Sequence, residues 1–452
     1  MNNAIFKEYD IRGLYYQDFD DAFAYSLGLA YSKLRKAELP GKEKIKIVVG
    51  EDMRISSAAL KRQLIEGLLD GGLDVVDIGL SSTPTFYFAV AHYGYDGGIL
   101  VSASHNLPEY NGFKVVRDRA IPVSKDSGLL EIRNFIVSNS LEKLENRGSI
   151  EVKQGILKEQ VDRDLGYTDV GKIRKLKIVL DPANSMGALY MEELFSRLNC
   201  EIIKLDWKLS ENPVHGANPY KKENIADLCA KVIEDGASLG IATDGDGDRI
   251  FFVDERGQPV EPHVARAIFC KIFLKNYPGA KIAYDIRPGK IAEDVIKENG
   301  GIPVVTRVGH SLIKEQMIRE GIIFGAESSG HFFLSMDDGC YEVPMIVTLK
   351  LLQDLSESRL SLSEYAEPFK KYFNSGEINF ELNDKEEVIN KIKIAYGDGT
   401  INELDGLSVE YPDWWFNVRL SHTEPFLRLI VEARTQELME QKVVELTGLI
   451  SS

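Results

Sequence analysis

The sequence predicts an α/β protein made of three similar α/β units followed by a smaller C-terminal α+β domain. Three observations carry this. A pattern of short apolar runs and amphipathic stretches, read as β-α-β-α-β, recurs three times in the first 366 residues. The apolar runs are continuous rather than alternating, as expected of strands covered by helices on both faces. Beyond about Glu367 the pattern gives way to longer strand-like runs with two helices, the signature of an α+β domain.

The first unit reads as strand KIKIVVGE from Lys44, a helix through Leu60 to Leu69, a strand from Leu73, a helix near Pro84 to Ala91, and strand GILVSA. The second runs KIVLDP from Lys177, a helix from Met186, CEIIKLD from Cys200, a helix from Asn224, then LGIATD. The third runs KIAYDI from Lys281, a helix from Ile291, IPVVTRV from Ile302, a helix from Ser311, then IIFGAE. Right-handed crossovers make the three strands of each unit parallel. The charged stretch Lys153 to Arg163 reads as a solvated helix between units one and two. In the last domain EINFEL, LSVEYPDWWFNVRLS and FLRLIVEAR read as strands, with helices at KEEVINKIKIAYG and in the tail. The resulting domains are 1–148, 149–253, 254–366 and 367–452.

Composition narrows the class. The chain has 452 residues, 44% apolar and 27% charged, a globular profile of three or four domains. The N-terminus MNNAIFKEYDIRG carries charges where a signal peptide needs an apolar core, and no apolar run is long enough to span a bilayer. Cys200, Cys229, Cys270 and Cys340 form no CxxC pair, which suits a reducing, cytoplasmic setting. A net charge of −16 argues against binding nucleic acid or anionic membrane through the general surface. An anionic ligand therefore requires a local cluster of Arg and Lys.

Each third strand ends in an unusual loop: SASHN, TDGDGDR and GAESSGH. Ligands in open α/β sheets sit at such strand ends, so the three loops point to one composite site. Asp244, Asp246 and Asp248 alternate with Gly245 and Gly247, a spacing that lets carboxylates converge on one hard cation. An EF-hand is excluded because Arg249 stands where its glycine is required and the next residues read as strand. Ser104 and His105 offer a hydroxyl and an imidazole. Without a GxSxG elbow a hydrolase is weakly supported, and a phosphorylated serine completing the shell of a Mg²⁺ ion fits better. Lys114 is a candidate proton carrier or phosphate contact. Glu327 and Ser329 can present an acceptor and a donor to sugar hydroxyls. Arg419, Ser421, His422 and Thr423 form a donor-rich loop without a neighbouring aspartate, suited to a phosphate dianion. Arg54 and Arg287 are further cations at the ends of first strands, and Arg12 precedes the units; ordinary surface ion pairs are the competing reading, evenly balanced for Arg54. His310 opens a helix as a cap or core histidine.

Taken together, the stretches YDIRG, SASHN with EYNGFK, DGDGDR, VGHSLIK, ESSGH and RLSHTEP resemble the α-D-phosphohexomutases, specifically the phosphomannomutase/phosphoglucomutase group, over essentially the whole chain. The resemblance implies four domains with mixed, mainly parallel sheets in the first three, around a central cleft. It implies Ser104 as the phosphoserine and a metal ligand, with Asp244, Asp246 and Asp248 as the other Mg²⁺ ligands. Glu327 and Ser329 match sugar contacts, and Arg419, Ser421 and Thr423, with His422 in the same loop, match the holder of the non-reacting phosphate. Tyr9, Arg12, His105, Lys114, Arg249, Arg287, His310 and His331 match further active-site positions, with Lys114 and His310 as candidates for proton transfer.

Three departures stand out: Leu107 in place of a usual Pro, Ala326 in place of a usual Gly, and His422 in place of a usual Asn. The implied activity interconverts hexose 1-phosphate and hexose 6-phosphate through a hexose 1,6-bisphosphate, which also serves as activator. The expected substrates are mannose and glucose phosphates, since Glu327 and Ser329 leave the carbon-2 hydroxyl unread. Phosphoglucosamine mutase and a catalytically silent sugar-phosphate sensor are the alternatives. A monomer or weak homodimer is expected.

Overall fold

A computed structural model describes residues 2–138, 140–287, 289–382, 384–420 and 426–451. The chain forms two compact units: Met1–Pro259 with Gly330–Leu362, and Val260–Ser329 with Ser363–Ser452.

In the first unit the opening repeat builds around strand Lys46–Glu51. It lies parallel to Asp74–Leu80 on one side and to Gly97–Val101 on the other. Helices Ile55–Asp70 and Thr83–His92 make the crossovers. Strand Tyr110–Arg117 then returns antiparallel to Gly97–Val101 with Lys114 opposite Leu100, and Ile11–Leu14 pairs antiparallel to it with Arg12 opposite Gly112. This return brings Lys114 and Arg12 back to the end of the sheet where Ser104 emerges. The second repeat has the same plan. Lys177–Asp181 is parallel to both Glu201–Lys204 and Leu239–Thr243, and Ile250–Asp254 returns antiparallel to the latter. The continuous apolar runs are buried at every residue in Gly97–Val101, Leu239–Thr243 and Ile250–Asp254. Each fully buried Ile, Leu, Val or Phe there contributes roughly 1.5–3 kcal/mol.

In the second unit Lys281–Asp285 is parallel to Ile302–Thr306 and to Phe324–Ala326. The last domain is antiparallel: Leu427–Ala433 pairs with Trp414–Leu420, which pairs with Leu407–Glu410, which pairs with Thr400–Asn402. Helices Lys385–Ala395 and Gln436–Ser451 cover it, burying Ile392, Leu446 and Ile450 against Leu407, Val409, Phe416 and Val431. The sheets are therefore mixed and mainly parallel in the three repeats, and antiparallel at the C-terminus.

Several elements depart from the expected pattern. LSVEYPDWWFNVRLS is two strands rather than one, because Pro412 and Asp413 sit in a turn closed by the Tyr411 amide on the Trp414 carbonyl at 2.9 Å. The charged helix Ile156–Leu165 is not fully solvated, since Ile156, Gln160, Val161 and Asp164 form a buried face. Further helices lie outside the repeat, three of them long. Asp21–Glu38 is capped by the Asp20 side chain on the Phe23 amide, while Pro262–Asn276 and Pro344–Ser358 both open on proline. Among the described residues no helix is long and apolar enough to cross a membrane.

An aspartate stands at the end of the first strand of each repeat: Asp52 directly after Glu51 in the first, and Asp181 and Asp285 as the last strand residues in the second and third. In the second repeat its partner is His215, whose Nε2 lies 3.1 Å from Asp181 and 3.4 Å from Asp206. The hydrogen bond to Asp181 outweighs burial and pushes the imidazole from 6.5 up to about 9. The folded pKa exceeds the unfolded one, so this stabilisation is complete below 6.5 and is lost as pH rises through about 9. Because the pair is only half-buried and partly screened by solvent, wild type should lose on the order of 1–2 kcal/mol relative to His215→Gln between about pH 6 and 10, measured by denaturant unfolding. Parallel pH profiles for the two proteins would refute the assignment.

Candidate active site

In the first unit two strand-end loops meet. Ser104 sits in the left-handed region at φ 51°, a conformation that costs a non-glycine residue roughly 1–2 kcal/mol. Its Oγ lies 2.9 Å from Asp244 Oδ2 and 3.1 Å from His105 Nδ1. The adjacent hydroxyl and imidazole therefore do face each other, although neighbours along a chain rarely do. Gly245 is required here, because a Cβ at that position would stand 2.3 Å from the Ser104 carbonyl oxygen. Gly247 takes a φ of 73° that returns the loop so that its three carboxylates converge.

Asp244, Asp246 and Asp248 are buried, with ligand oxygens all within 4.8 Å of one another. The Asp248 and Arg249 amides donate to Asp244 Oδ1, both at 3.1 Å. Thr83 donates its hydroxyl to Asp246 Oδ2 at 2.6 Å. Lys114 Nζ reaches Asp246 at 2.5 Å and Asp248 at 2.7 Å. Burial alone would lower the Lys114 pKa, but the charges of Asp246 and Asp248 win and hold it well above its usual range. Burial and the like charges beside it push Asp244 well up. Asp248 is also raised, by burial and by Asp246, while the Lys114 contact keeps Asp246 ionised below the ordinary range against burial. Asp246 Oδ1 and Asp248 Oδ1 are buried with no hydrogen-bond partner among the described residues. One ammonium compensates only part of this charge, and the two orphaned oxygens are donors of the type a hard divalent cation takes, so the residues fit such an ion.

His105 is held neutral, its pKa well below 6.5 through burial and then the charges of Arg249 and Arg12. Arg12 donates to Asn106 Oδ1 at 2.6 Å and pairs with Asp10. Arg249 donates through Nε to His331 Nε2 at 3.0 Å, which leaves the Nδ1 hydrogen of His331 toward Asp248, 3.5 Å away. Tyr9 is half-buried in the turn before Arg12. The first unit thus gathers Arg12, Ser104, His105, Lys114, the three aspartates, Arg249 and His331. Thr83 and Arg54 belong to the same cluster and were not assigned to it from sequence. Their only local signals are the Ser-Thr-Pro helix start and the Asp-x-Arg that follows a strand.

In the second unit Arg287 pairs with Asp285 through Nε and reaches Glu327 Oε1 at 3.2 Å. The Gly309 amide donates to the same Glu327 oxygen at 3.1 Å, tying the start of helix His310–Glu320 to that carboxylate. Ser329 Oγ is buried with no hydrogen-bond partner among the described residues. Arg419 does have a carboxylate partner: it donates to Glu377 at 3.0 Å, a residue 42 positions upstream and invisible to a search for nearby aspartates. Ser421, His422 and Thr423 lie outside the described residues. Two of the departures are accommodated. Leu107 points its side chain to solvent and contributes only its carbonyl to the loop, and the Ala326 methyl packs in the sheet opposite Tyr284.

Asp244→Asn removes one like charge and keeps the oxygen that caps two amides. Without divalent metal, this variant should unfold about 1–2 kcal/mol later than wild type, since mutual repulsion is relieved. With saturating metal the order should reverse, because wild type gains RT ln(1+[L]/Kd), about 2.7 kcal/mol at a hundredfold excess over Kd, and the variant gains little. Thermal unfolding with and without Mg²⁺ checks both. A metal-free variant less stable than wild type would count against the buried-repulsion account.

Four family models match consecutive parts of the chain: phosphoglucomutase/phosphomannomutase α/β/α domain I at residues 3–142, domain II at 159–257, domain III at 262–372 and the C-terminal domain at 377–448. A phosphomannomutase of Vibrio cholerae is 38% identical over 456 aligned residues, covering 98% of each chain. A phosphomannomutase of Methanocaldococcus jannaschii is 37% identical and covers 99% of this chain and 97% of that one. The crystal structure of a phosphoglucomutase/phosphomannomutase family protein from Burkholderia thailandensis superposes with a TM-score of 0.88 at 31% identity, covering 100% and 98%. With all four of its domains matched in order and full-length relatives above 30% identity, the chain belongs to the phosphoglucomutase/phosphomannomutase family.

Proposed function

We propose that the chain is a phosphohexomutase that interconverts hexose 1-phosphate and hexose 6-phosphate through a phosphoserine at 104. The observation that carries this reading is Ser104 Oγ held 2.9 Å from Asp244 inside a buried carboxylate triad that also binds Lys114. A hydroxyl so placed is poised to carry a phosphoryl group beside a metal, which is positioning and charge compensation, the main requirement of phosphoryl transfer.

In the forward step the free hydroxyl oxygen of a hexose phosphate forms a bond to phosphorus and gives up its proton to a proton carrier of the site, as the bond to Ser104 Oγ breaks and that oxygen takes up a proton in turn. The result is a hexose 1,6-bisphosphate and a free serine. The bisphosphate then returns its other phosphoryl group to Ser104. Mg²⁺, held by Asp244, Asp246, Asp248 and the Ser104 phosphate, would supply Lewis-acid stabilisation of the transferring oxygens. Lys114, kept protonated by Asp246 and Asp248, acts as a fixed positive charge and a proton donor to Ser104 as it leaves. His105, neutral and on Ser104 Oγ, orients that oxygen. Arg12 and Arg249 complete the cationic side, with His331, which accepts from Arg249, and Tyr9 assigned to the same part of the site. Glu327, Ser329, Arg287 and His310 are assigned to the sugar, with His310 a second candidate proton carrier. Arg419 with Ser421, His422 and Thr423 is assigned to the phosphate that does not react.

The names of the relatives favour mannose and glucose phosphates over glucosamine phosphate. We read the domains as 1–148, 149–253, 254–366 and 367–452, the site as Mg²⁺-dependent with a bisphosphate activator, and the protein as a cytoplasmic monomer or weak homodimer. Four cysteines that form no disulfide among the described residues support the reducing compartment.

A coupled assay with Mg²⁺ and trace bisphosphate should show turnover of both glucose 1-phosphate and mannose 1-phosphate. A rate ratio beyond about 10³, some 4 kcal/mol, would contradict an unread carbon-2 hydroxyl. Ser104→Ala should lose at least about 10³-fold in kcat and take up no phosphoryl group, since the only acceptor is gone. Undiminished activity in that variant would overturn the mechanism.

A further inference from the structure

We propose that Arg54 is the positioning residue that holds the Ser104 loop in its reactive shape, a proposal that rests on the phosphoserine reading above. Arg54 follows the first strand of the first repeat and precedes helix Ile55–Asp70. It is buried, 6% exposed. Its guanidinium carries five N–H donors, and all five are engaged. Nε donates to Asp52 Oδ2 at 3.2 Å. Nη1 donates to the carbonyls of Leu107 at 2.8 Å and Tyr110 at 3.0 Å. Nη2 donates to the carbonyls of Ser104 at 2.9 Å and Asn106 at 2.7 Å.

This arrangement decides what Arg54 does. No donor remains for a substrate phosphate, so Arg54 is not an anion site. It is a template that turns four carbonyls of one loop to the same point. With the Ser104 carbonyl fixed behind the loop, the Ser104 side chain is directed the other way, toward Asp244. The template is itself anchored. The Arg54 amide donates to Asp52 Oδ1 at 3.1 Å, and Ser57 donates to the same oxygen at 2.6 Å. Asn111, at the far end of the loop, donates to Ser56 at 2.7 Å and to Ser57 at 3.0 Å. The start of one helix thus clamps the loop at both ends.

The internal repeat supports the assignment independently. Asp285 and Arg287 occupy the same strand-end positions in the third repeat, with Nε of the arginine on the aspartate and its Nη2 on Glu327 of the loop after that repeat's third strand. In both repeats an Asp-x-Arg pair reaches its own repeat's functional loop. Lysine cannot replace Arg54, because three donors on a tetrahedral nitrogen cannot meet four carbonyls and a carboxylate.

The test uses full-length enzyme with Mg²⁺. Arg54→Lys and Arg54→Ala are compared with wild type in three measurements: kcat and KM for hexose 1-phosphate, phosphoryl uptake on Ser104 from hexose 1,6-bisphosphate by intact mass, and rescue of Arg54→Ala by added guanidinium. In Arg54→Lys we expect kcat and the rate of phosphoryl uptake to fall about 10²-fold, with KM within about threefold, since the loop moves while sugar and phosphate contacts stay. Guanidinium should restore at least about tenfold in Arg54→Ala; should that variant not fold, Arg54→Lys decides. A kcat in Arg54→Lys within about threefold of wild type, or a loss confined to KM, overturns the proposal while leaving the phosphoserine reading intact. Wild type that takes up no phosphoryl group overturns that reading, and this proposal with it.

Discussion

Three carboxylates buried against one ammonium are the constraint on which the first unit is arranged. Asp244, Asp246 and Asp248 are 0–2% exposed, and burying like charges together costs several kcal/mol for each uncompensated ion. The chain lowers that cost from two directions. Within the loop, the Asp248 and Arg249 amides fold back on Asp244. From the first repeat come the Lys114 ammonium and the Thr83 hydroxyl. The second repeat's acidic loop is thus stable only where the first repeat covers it. The site is a structural joint as well as a place for chemistry. Lys114 arrives there because the antiparallel return strand pairs it with Leu100, one residue before the strand ends at Val101 and gives way to the serine loop.

A second regularity follows from the repeat. An aspartate stands at the end of each first strand, and each aspartate holds a cation that orders a loop: Arg54 on Asp52, His215 on Asp181, and Arg266 with Arg287 on Asp285. Parallel sheets concentrate strand ends on one edge, where backbone amides are left without ladder partners. An aspartate there accepts from the turn that follows, as Asp52 does from Arg54 and Asp181 from Ala183, and keeps its other oxygen for a side chain. The same local solution serves three different loops, so the chemistry of the loops could diverge while their support stayed the same.

Much of this was legible because the relevant signals are short-range. Asp244, Asp246 and Asp248 announce a cation by spacing alone, and the three strand-ended loops announce their importance by position. Arg54 was not legible, because four of its five acceptors lie 50 to 56 positions away and reach it only after the serine loop is folded back; in sequence it is one more arginine near an aspartate. Thr83 is separated from Asp246 by 163 residues. The pairing of Arg419 with Glu377 is hidden in the same way, so a loop that looked like free donors contains a neutralised cation. Helix Asp21–Glu38 was readable from the spacing of Phe23, Leu27, Tyr31 and Leu34 but lies outside the repeat that organised the reading. The split of LSVEYPDWWFNVRLS was readable too, from its proline and aspartate.

The pairing of cations with carboxylates bears on how an acidic protein meets an anionic ligand. At a net charge of −16 the general field repels a sugar phosphate, so attraction must be local. Yet the arginines assigned to substrate are not bare: Arg12 sits on Asp10, Arg287 on Asp285 and Glu327, and Arg419 on Glu377. A bare guanidinium buried as deeply as Arg419 would be costly, and burial does lower its pKa, followed by the neighbouring charge of Arg287. The carboxylate partner keeps the cation affordable in the empty protein. It also sets a threshold: an incoming group has to outcompete a carboxylate that is already in place. A phosphate dianion, with more charge and three acceptor oxygens, meets that threshold where a monoanion or a neutral hydroxyl does not. On the proposed assignment of these arginines to substrate, selectivity for the phosphorylated sugar over the free one would rest on the same ion pairs that hold them in place.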